Sequence, residues 1–149
     1  MRAVVQRVKT ANVVVDGNKV GEIGEGIVLL LGIAKEDTEK DLDYIYRKVV
    51  NLRIFDDKDG VMNESLLDHR KELLVVSQFT LYGDGRKGNR PSYIRAANGA
   101  EAEKLYQKFI QRGNNDGLSV ATGVFGADMD LTLINDGPVT ILLDSEKVF

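Results

Sequence analysis

"LTLINDGPVTILLD", residues 131–144, holds two apolar runs on either side of Asn135-Asp136-Gly137, and Pro138 opens the second run. Asp-Gly between alternating apolar residues is hairpin chemistry, because glycine takes the positive φ that tight two-residue turns need. The stretch therefore reads as two strands, Met129–Ile134 and Val139–Leu143, joined by a turn. Proline is out of place at the head of the second strand. It offers no N–H to a ladder and is confined to edges, strand starts and bulges. On local grounds Pro138, one of only two prolines in the chain, is a turn residue that blunts an edge.

Working outward, strands dominate. Ala3–Val8 and Asn12–Val15 are short β-branched runs, and Asp16-Gly17-Asn18 sets the second apart from Val20–Ile23 as in a hairpin. Ile27–Ile33 is an unbroken apolar run, as expected of a strand buried on both faces. Glu72–Phe79 is a further strand centred on Leu73–Val76, and Leu118–Phe125 is also strand-like. Asp57-Lys58-Asp59-Gly60 is a turn. Two helices interrupt the pattern. Thr38 with Asp41 gives a capping-box start, and Leu42, Ile45, Tyr46, Val49 and Leu52 follow at helical spacing. Asn98 with Glu101 starts the second helix, with Ala102, Leu105, Phe109 and Ile110 as its apolar face and Gly113 as its C-terminal cap. The expected fold class is α+β: a mostly β single domain over residues 1–149 with two principal helices packed on the sheet.

Composition narrows the chemistry. The chain has no cysteine and one histidine, which removes disulfides, thiolate zinc sites and cysteine nucleophiles. No metal and no cofactor is expected. A net charge of -3 argues against a generic nucleic-acid binder, though a protein that grips one nucleic-acid end with a local patch remains open. The start, MRAVVQRV, is not a signal peptide, and no run approaches the ~18 apolar residues of a membrane span. A cytoplasmic protein with no membrane partner is expected.

Four stretches invite functional readings. "GDGRKG", Gly83–Gly88, is a literal G-x-G-x-x-G, but Pro91 follows where a dinucleotide site needs a helix to open. It reads instead as a loop, and Arg86, Lys87, Arg90 and Arg95 make it either a solvated segment or a phosphate-contacting arm. "DDKDG" fails as a calcium loop, because Phe55 and Leu66 would fall at ligand positions that need oxygen. His69 lies in a charged run and reads as a surface residue. "VVSQFTLYGDG", Val75–Gly85, is a core strand that runs out into a loop, where sites are commonly built. Ser77 and Thr80 have no neighbouring base to make either one a nucleophile. On chemistry alone they are also readable as polar residues satisfied locally.

Taken together, "SQFTL" (77–81), "NRPSY" (89–93), "GVFGADM" (123–129) and "NDGPVT" (135–140) stand in the order and spacing of the D-aminoacyl-tRNA deacylases. "RAVVQRV" at the start and "SLLD" (65–68) fit as well, so the chain resembles this family over essentially its whole length. The resemblance implies a cytoplasmic homodimer that hydrolyses the ester of D-aminoacyl-tRNA without a cofactor. It places Ser77, Gln78, Phe79 and Thr80 in the pocket. It makes Gly137-Pro138, joined by a cis bond, a selector inserted into the partner's site, with Arg7 holding that loop. Phe125, Ala127 and Met129 match the part lining the terminal-adenosine site. Two readings from other classes stand beside it: a tRNA-end or peptide-binding module without catalysis, and a conventional serine esterase using His69.

Overall fold

The computed structural model describes residues 1–149. Its spine is β1, Arg2–Val15, a single strand of 14 residues. Three antiparallel partners share its two edges. β2 (Asn18–Ile23) pairs with Ala11–Val15, β3 (Gly26–Gly32) with Arg2–Val8, and β8 (Asp130–Asp144) runs along both halves. β6 (Glu72–Ser77) adds parallel to β3, and β7 (Val120–Thr122) adds parallel to β6. Parallel neighbours need crossovers, and helices supply them. α1 (Glu39–Asn51) lies between β3 and β6 in the chain, and α3 (Gly99–Asn115) between β6 and β7. The first crossover also carries a small hairpin, β4 (Phe55–Asp56) with β5 (Met62–Glu64), and a single turn of helix, α2 (Leu66–His69).

Local chemistry explains these boundaries. Thr38 and Asp41 cap α1 reciprocally, and Ser65 and Asp68 do the same for α2, which accounts for "SLLD". The Asn98 side chain accepts from the N–H of Glu101 at the start of α3. The end of α3 differs from expectation. The helix continues through Gly113 to Asn115, and the left-handed residue is Gly117. Gly113 instead lets the helix approach β7, since a Cβ there would lie 2.9 Å from a Val120 methyl.

β3 is buried on both faces, as its unbroken apolar run predicts. Ile27, Leu29 and Leu31 pack into the larger core with α1 and α3, where Tyr106 and Phe109 are fully buried. Val28 faces a smaller core with Val8, Val13, Leu74 and Val76, inside the curl of the sheet. The curl brings β7 across β2 so closely that a Cβ on Gly21 would lie 2.3 Å from the carbonyl oxygen of Thr122. Only glycine fits at position 21 without moving one of the two backbones.

The expected hairpin at 131–144 is not formed. Both apolar runs belong to β8 and both pair with β1: Leu131↔Val13 to Val8↔Asn135 on one side, Gln6↔Thr140 to Arg2↔Asp144 on the other. Asn135–Val139 forms an outward excursion where the register shifts. Proline is tolerated because this stretch is a bulge on an edge strand and owes β1 no hydrogen bond. Likewise the two short runs near the N-terminus are one strand, and Leu118–Phe125 shortens to the three residues of β7. No helix is long and apolar enough to cross a membrane.

Candidate active site

β6 ends where its ladder with β3 ends. The N–H of Gln78 donates to the carbonyl of Leu31 at 2.8 Å, and the chain then leaves the sheet in a tight 3-10 turn, Phe79–Tyr82. The first bond of that turn runs from Leu81 N–H to Gln78 C=O. The N–H groups of Phe79 and Thr80 therefore find no acceptor within the turn. The Gln78 amide donates to the Thr80 hydroxyl. Phe79 is 57% exposed and meets Tyr93 edge-on, with centroids 5.1 Å apart. An Asp84–Ser92 bridge closes the loop that delivers Tyr93.

Two cations pin this turn from behind. The Arg2 guanidinium donates to Asp144 Oδ2 at 2.9 Å and to the Leu81 carbonyl at 3.0 Å, and sits 4.7 Å over the Tyr82 ring. Arg95 covers the same ring at 5.6 Å. Burial, with Asp37 and Asp144 nearby, pushes the Tyr82 phenol up. It stays neutral and acts as a wedge. Sequence reading missed Arg2, whose one signal is a charge at the head of an apolar strand. Beneath the site the buried Tyr106 hydroxyl donates to the Val75 carbonyl at 2.9 Å, and burial raises that phenol to about 12.

In front of the turn lies a cavity of about 490 Å³. Ser77, Gln78, Phe79 and Thr80 form one wall, and Phe125, Ala127 and Met129 form another. Gly123 makes room for the second wall, since a Cβ there would lie 2.4 Å from Met129 Sδ. Leu31, Ile33, Ala97, Gly99 and Ala102 also line the cavity. Sequence reading missed these as well: they are small or apolar and carry no chemistry, and only the run "AANGA" at the head of α3 hints at close approach. Among the sixteen lining residues Asp128 alone is ionisable. His69 is elsewhere, paired with Glu64 and packed edge-on against Phe55. Ser77 thus has no imidazole, and a serine triad is not assembled.

Arg7, Gly137 and Pro138 do not line this cavity. The Gly137–Pro138 bond is cis, and both residues are exposed. Asn135 closes the excursion from within, its amide nitrogen donating to the Val139 carbonyl at 3.0 Å and its oxygen accepting from the Val139 N–H at 2.9 Å. Arg7, 8% exposed, backs the loop. It donates to the carbonyls of Ile54 at 2.6 Å and Asp136 at 3.3 Å, and pairs with the Asp136 carboxylate at 3.2 Å. Five residues of β8 separate Gly137 from Leu131 at the cavity wall, at most about 20 Å of extended chain, of which Leu131–Ile134 is paired with β1.

The loop over 83–99 is less basic than its composition suggests. Arg86 forms a two-pronged pair with Asp84, and Arg95 pairs with Glu146.

A cavity at SQFTL, a second wall from GVFGADM and an exposed NDGP loop are what this chain builds from its motifs. The family model described as D-Tyr-tRNA(Tyr) deacylase matches residues 4–144. The chain belongs to that family. It is 58% identical to a D-aminoacyl-tRNA deacylase of Thermosipho africanus and 56% identical to one of Clostridium kluyveri, over 149 residues and 100% of each chain. Among solved structures it is similar to a c-Myc DNA unwinding element binding protein, with a TM-score of 0.90 and 44% identity over 97% of this chain and 98% of that one. A structure titled as a "probable eukaryotic D-amino acid tRNA deacylase" shares the fold at a TM-score of 0.82, with 17% identity over 95% and 97% of the two chains.

Proposed function

We propose that this chain is a D-aminoacyl-tRNA deacylase, a hydrolase that cleaves the ester between a D-amino acid and tRNA and releases both. The observation that carries the reading is the family match over residues 4–144, which spans every motif that builds the cavity. The chemistry of the lining suits the reaction. An aminoacyl ester is already activated, and the neighbouring ribose 2′-hydroxyl can help to activate water. The protein's task is then to hold the ester and to stabilise the developing oxyanion. The N–H groups of Phe79 and Thr80, free of the turn, are the donors. Thr80, tied to Gln78, shapes the site and does not attack. Phe125, Ala127 and Met129 face the terminal adenosine.

The working unit is a homodimer in the cytoplasm, and the loop of one subunit serves the cavity of the other. Three features support this. The Gly137–Pro138 loop is exposed and does not line its own cavity. β8 is a 15-residue strand paired only with β1, the kind of open edge that proteins cover. Ile134 and Leu142 on that strand are 56% and 55% exposed. Carbonyls in the loop meet the substrate amino group and collide with an L side chain of any size. D-aminoacyl-tRNA and glycyl-tRNA are cleaved, and L-aminoacyl-tRNA is spared.

Matched D- and L-Tyr-tRNA test the reading. Hydrolysis of the D ester alone is expected, with turnover but not binding lost when the terminal ribose is 2′-deoxy. Ester loss from neither substrate would establish a binding module. A covalent acyl-enzyme trapped at Thr80 in a single-turnover assay, or activity abolished by His69→Ala, would overturn the mechanism.

A further inference from the structure

The outer face of α1 carries a second concavity, distinct from the cavity at Ser77–Thr80. Tyr44, Arg47, Lys48, Asn51, Leu52 and Arg53 line it: three cations and no carboxylate, in a chain whose net charge is -3. Lys147 joins them from the C-terminal segment. Its ammonium lies 5.6 Å from the Tyr44 ring centre, and that of Lys48 lies 5.9 Å from it. Neighbouring cations on the helices are paired, as in Lys108–Glu39 and Arg112–Asp43, whereas this cluster is not. None of Arg47, Lys48, Arg53 or Lys147 forms a salt bridge. Arg47 and Arg53 are steadied by neutral backbone carbonyls, those of Asp43 and Asn63. These bonds orient the guanidinium groups and leave their charge unspent. The Asp68 carboxylate, which feels Arg53, is held by the N–H and hydroxyl of Ser65.

We infer that this groove binds the phosphodiester backbone of the tRNA, at a distance from the ester. The inference rests on the proposed deacylase reading and adds where the body of that substrate is held. Unpaired, oriented guanidinium groups beside an aromatic ring suit phosphate and ribose. The position suits a long ligand. α1 starts six positions after Ile33 of the cavity lining, and the groove runs along its second half from Tyr44 to Arg53, so part of a helix about 20 Å long lies between the two sites in the chain. The aminoacyl-adenosine end fills the cavity alone, and only a macromolecule reaches both. The groove gathers its cations with no carboxylate in the lining, while the 83–99 loop has Arg86 and Arg95 paired and keeps Lys87 and Arg90 free of salt bridges, so the groove is the principal phosphate contact and the loop the lesser one.

Uncharged tRNA is the probe, titrated across salt against the parent, Arg47→Glu/Lys48→Glu and the milder Arg47→Gln/Lys48→Gln. Both side-chain pairs are exposed, and equal melting temperatures will show that the fold is kept. The reversed variant should bind at least tenfold more weakly. The slope of log affinity against log salt should fall in magnitude by about 1.4–1.8, the release expected for two phosphate contacts. The Gln variant should show the same slope change. Arg86→Glu/Lys87→Glu should change the slope less. Unchanged affinity and slope in both groove variants, or a larger effect from the loop variant, overturns the inference. So does attachment to anionic vesicles that is lost in the groove variants while tRNA affinity is kept. In each case a parent protein that still deacylates D-Tyr-tRNA leaves the deacylase reading standing. A parent that fails to do so removes that reading instead.

Discussion

Replacing Asn135 by alanine removes both hydrogen bonds that close the Asp136–Pro138 excursion. Val139 lies outside the register with β1, and its N–H and C=O are met by the Asn135 amide. Each bond contributes about 1 kcal/mol net, so the pair is worth about 2 kcal/mol. For a chain of this length that lowers Tm by about 4–8 °C. If all of it goes into ordering the loop, cleavage of D-Tyr-tRNA falls by up to ~30-fold. Discrimination against L-Tyr-tRNA should fall with it, because a loosened loop no longer holds its carbonyls in one place. Asn135→Asp keeps the acceptor for the Val139 N–H and loses the donor, so about half the loss of stability is expected. The assays are thermal melting at fixed protomer concentration and single-turnover deacylation of both esters. An Asn135→Ala chain that melts within about 1 °C of the parent and discriminates as well as the parent refutes the role given to this side chain.

Asp128→Asn should leave deacylation within about threefold of the parent, since a substrate-assisted reaction needs no carboxylate base; a loss of the 10²–10⁴-fold typical of a general base would make Asp128 that base. Tyr106→Phe should cost about 0.5–1.5 kcal/mol in denaturant unfolding by removing the shorter of two donors to the Val75 carbonyl, which keeps the Gly123 N–H at 3.3 Å. Since burial lifts this phenol to about 12, above its unfolded value of about 10, its contribution should be constant below pH 10 and decline only as pH rises towards 12. Gly21→Ala should be severely destabilising, by about 3 kcal/mol or more, because the new methyl meets a backbone oxygen that cannot rotate away; wild-type unfolding would show that the curl of the sheet is softer than the β2–β7 contact implies.

Sequence made the helices legible through their caps, since Thr38 with Asp41 and Asn98 with Glu101 are short-range devices that act before any tertiary contact forms. β3 was legible for a similar reason, because burial on both faces leaves an unbroken apolar run. What failed was the choice between hairpin and bulge at 131–144. Asn135-Asp136-Gly137 has the turn chemistry for a hairpin, but turn propensity is local. The 14 residues of β1, more than a hundred positions away, offer partners to both flanking runs. Asn135 then supplies the hydrogen bonds that a turn would have supplied. The site divided along the same line. Ser77–Thr80 announced themselves as polar residues at a strand end. Arg2, Ile33, Ala97 and Ala102 act through shape or through a contact that only the folded chain creates. The basic loop was legible only as composition: carboxylates at Asp84 and Glu146 pair Arg86 and Arg95, and Lys87 and Arg90 form no salt bridge.

The separation of the Gly137–Pro138 loop from the cavity lining of its own chain has a genetic consequence. In the proposed two-fold dimer each reaction centre draws its selector from one chain and its cavity from the other. A chain damaged at the loop and a chain damaged at Ser77–Thr80 are then each inactive as pure dimers. When the two are mixed, one centre of the hybrid collects both lesions and the other collects neither. Two dead alleles should therefore complement, restoring half of the normal sites in every hybrid dimer.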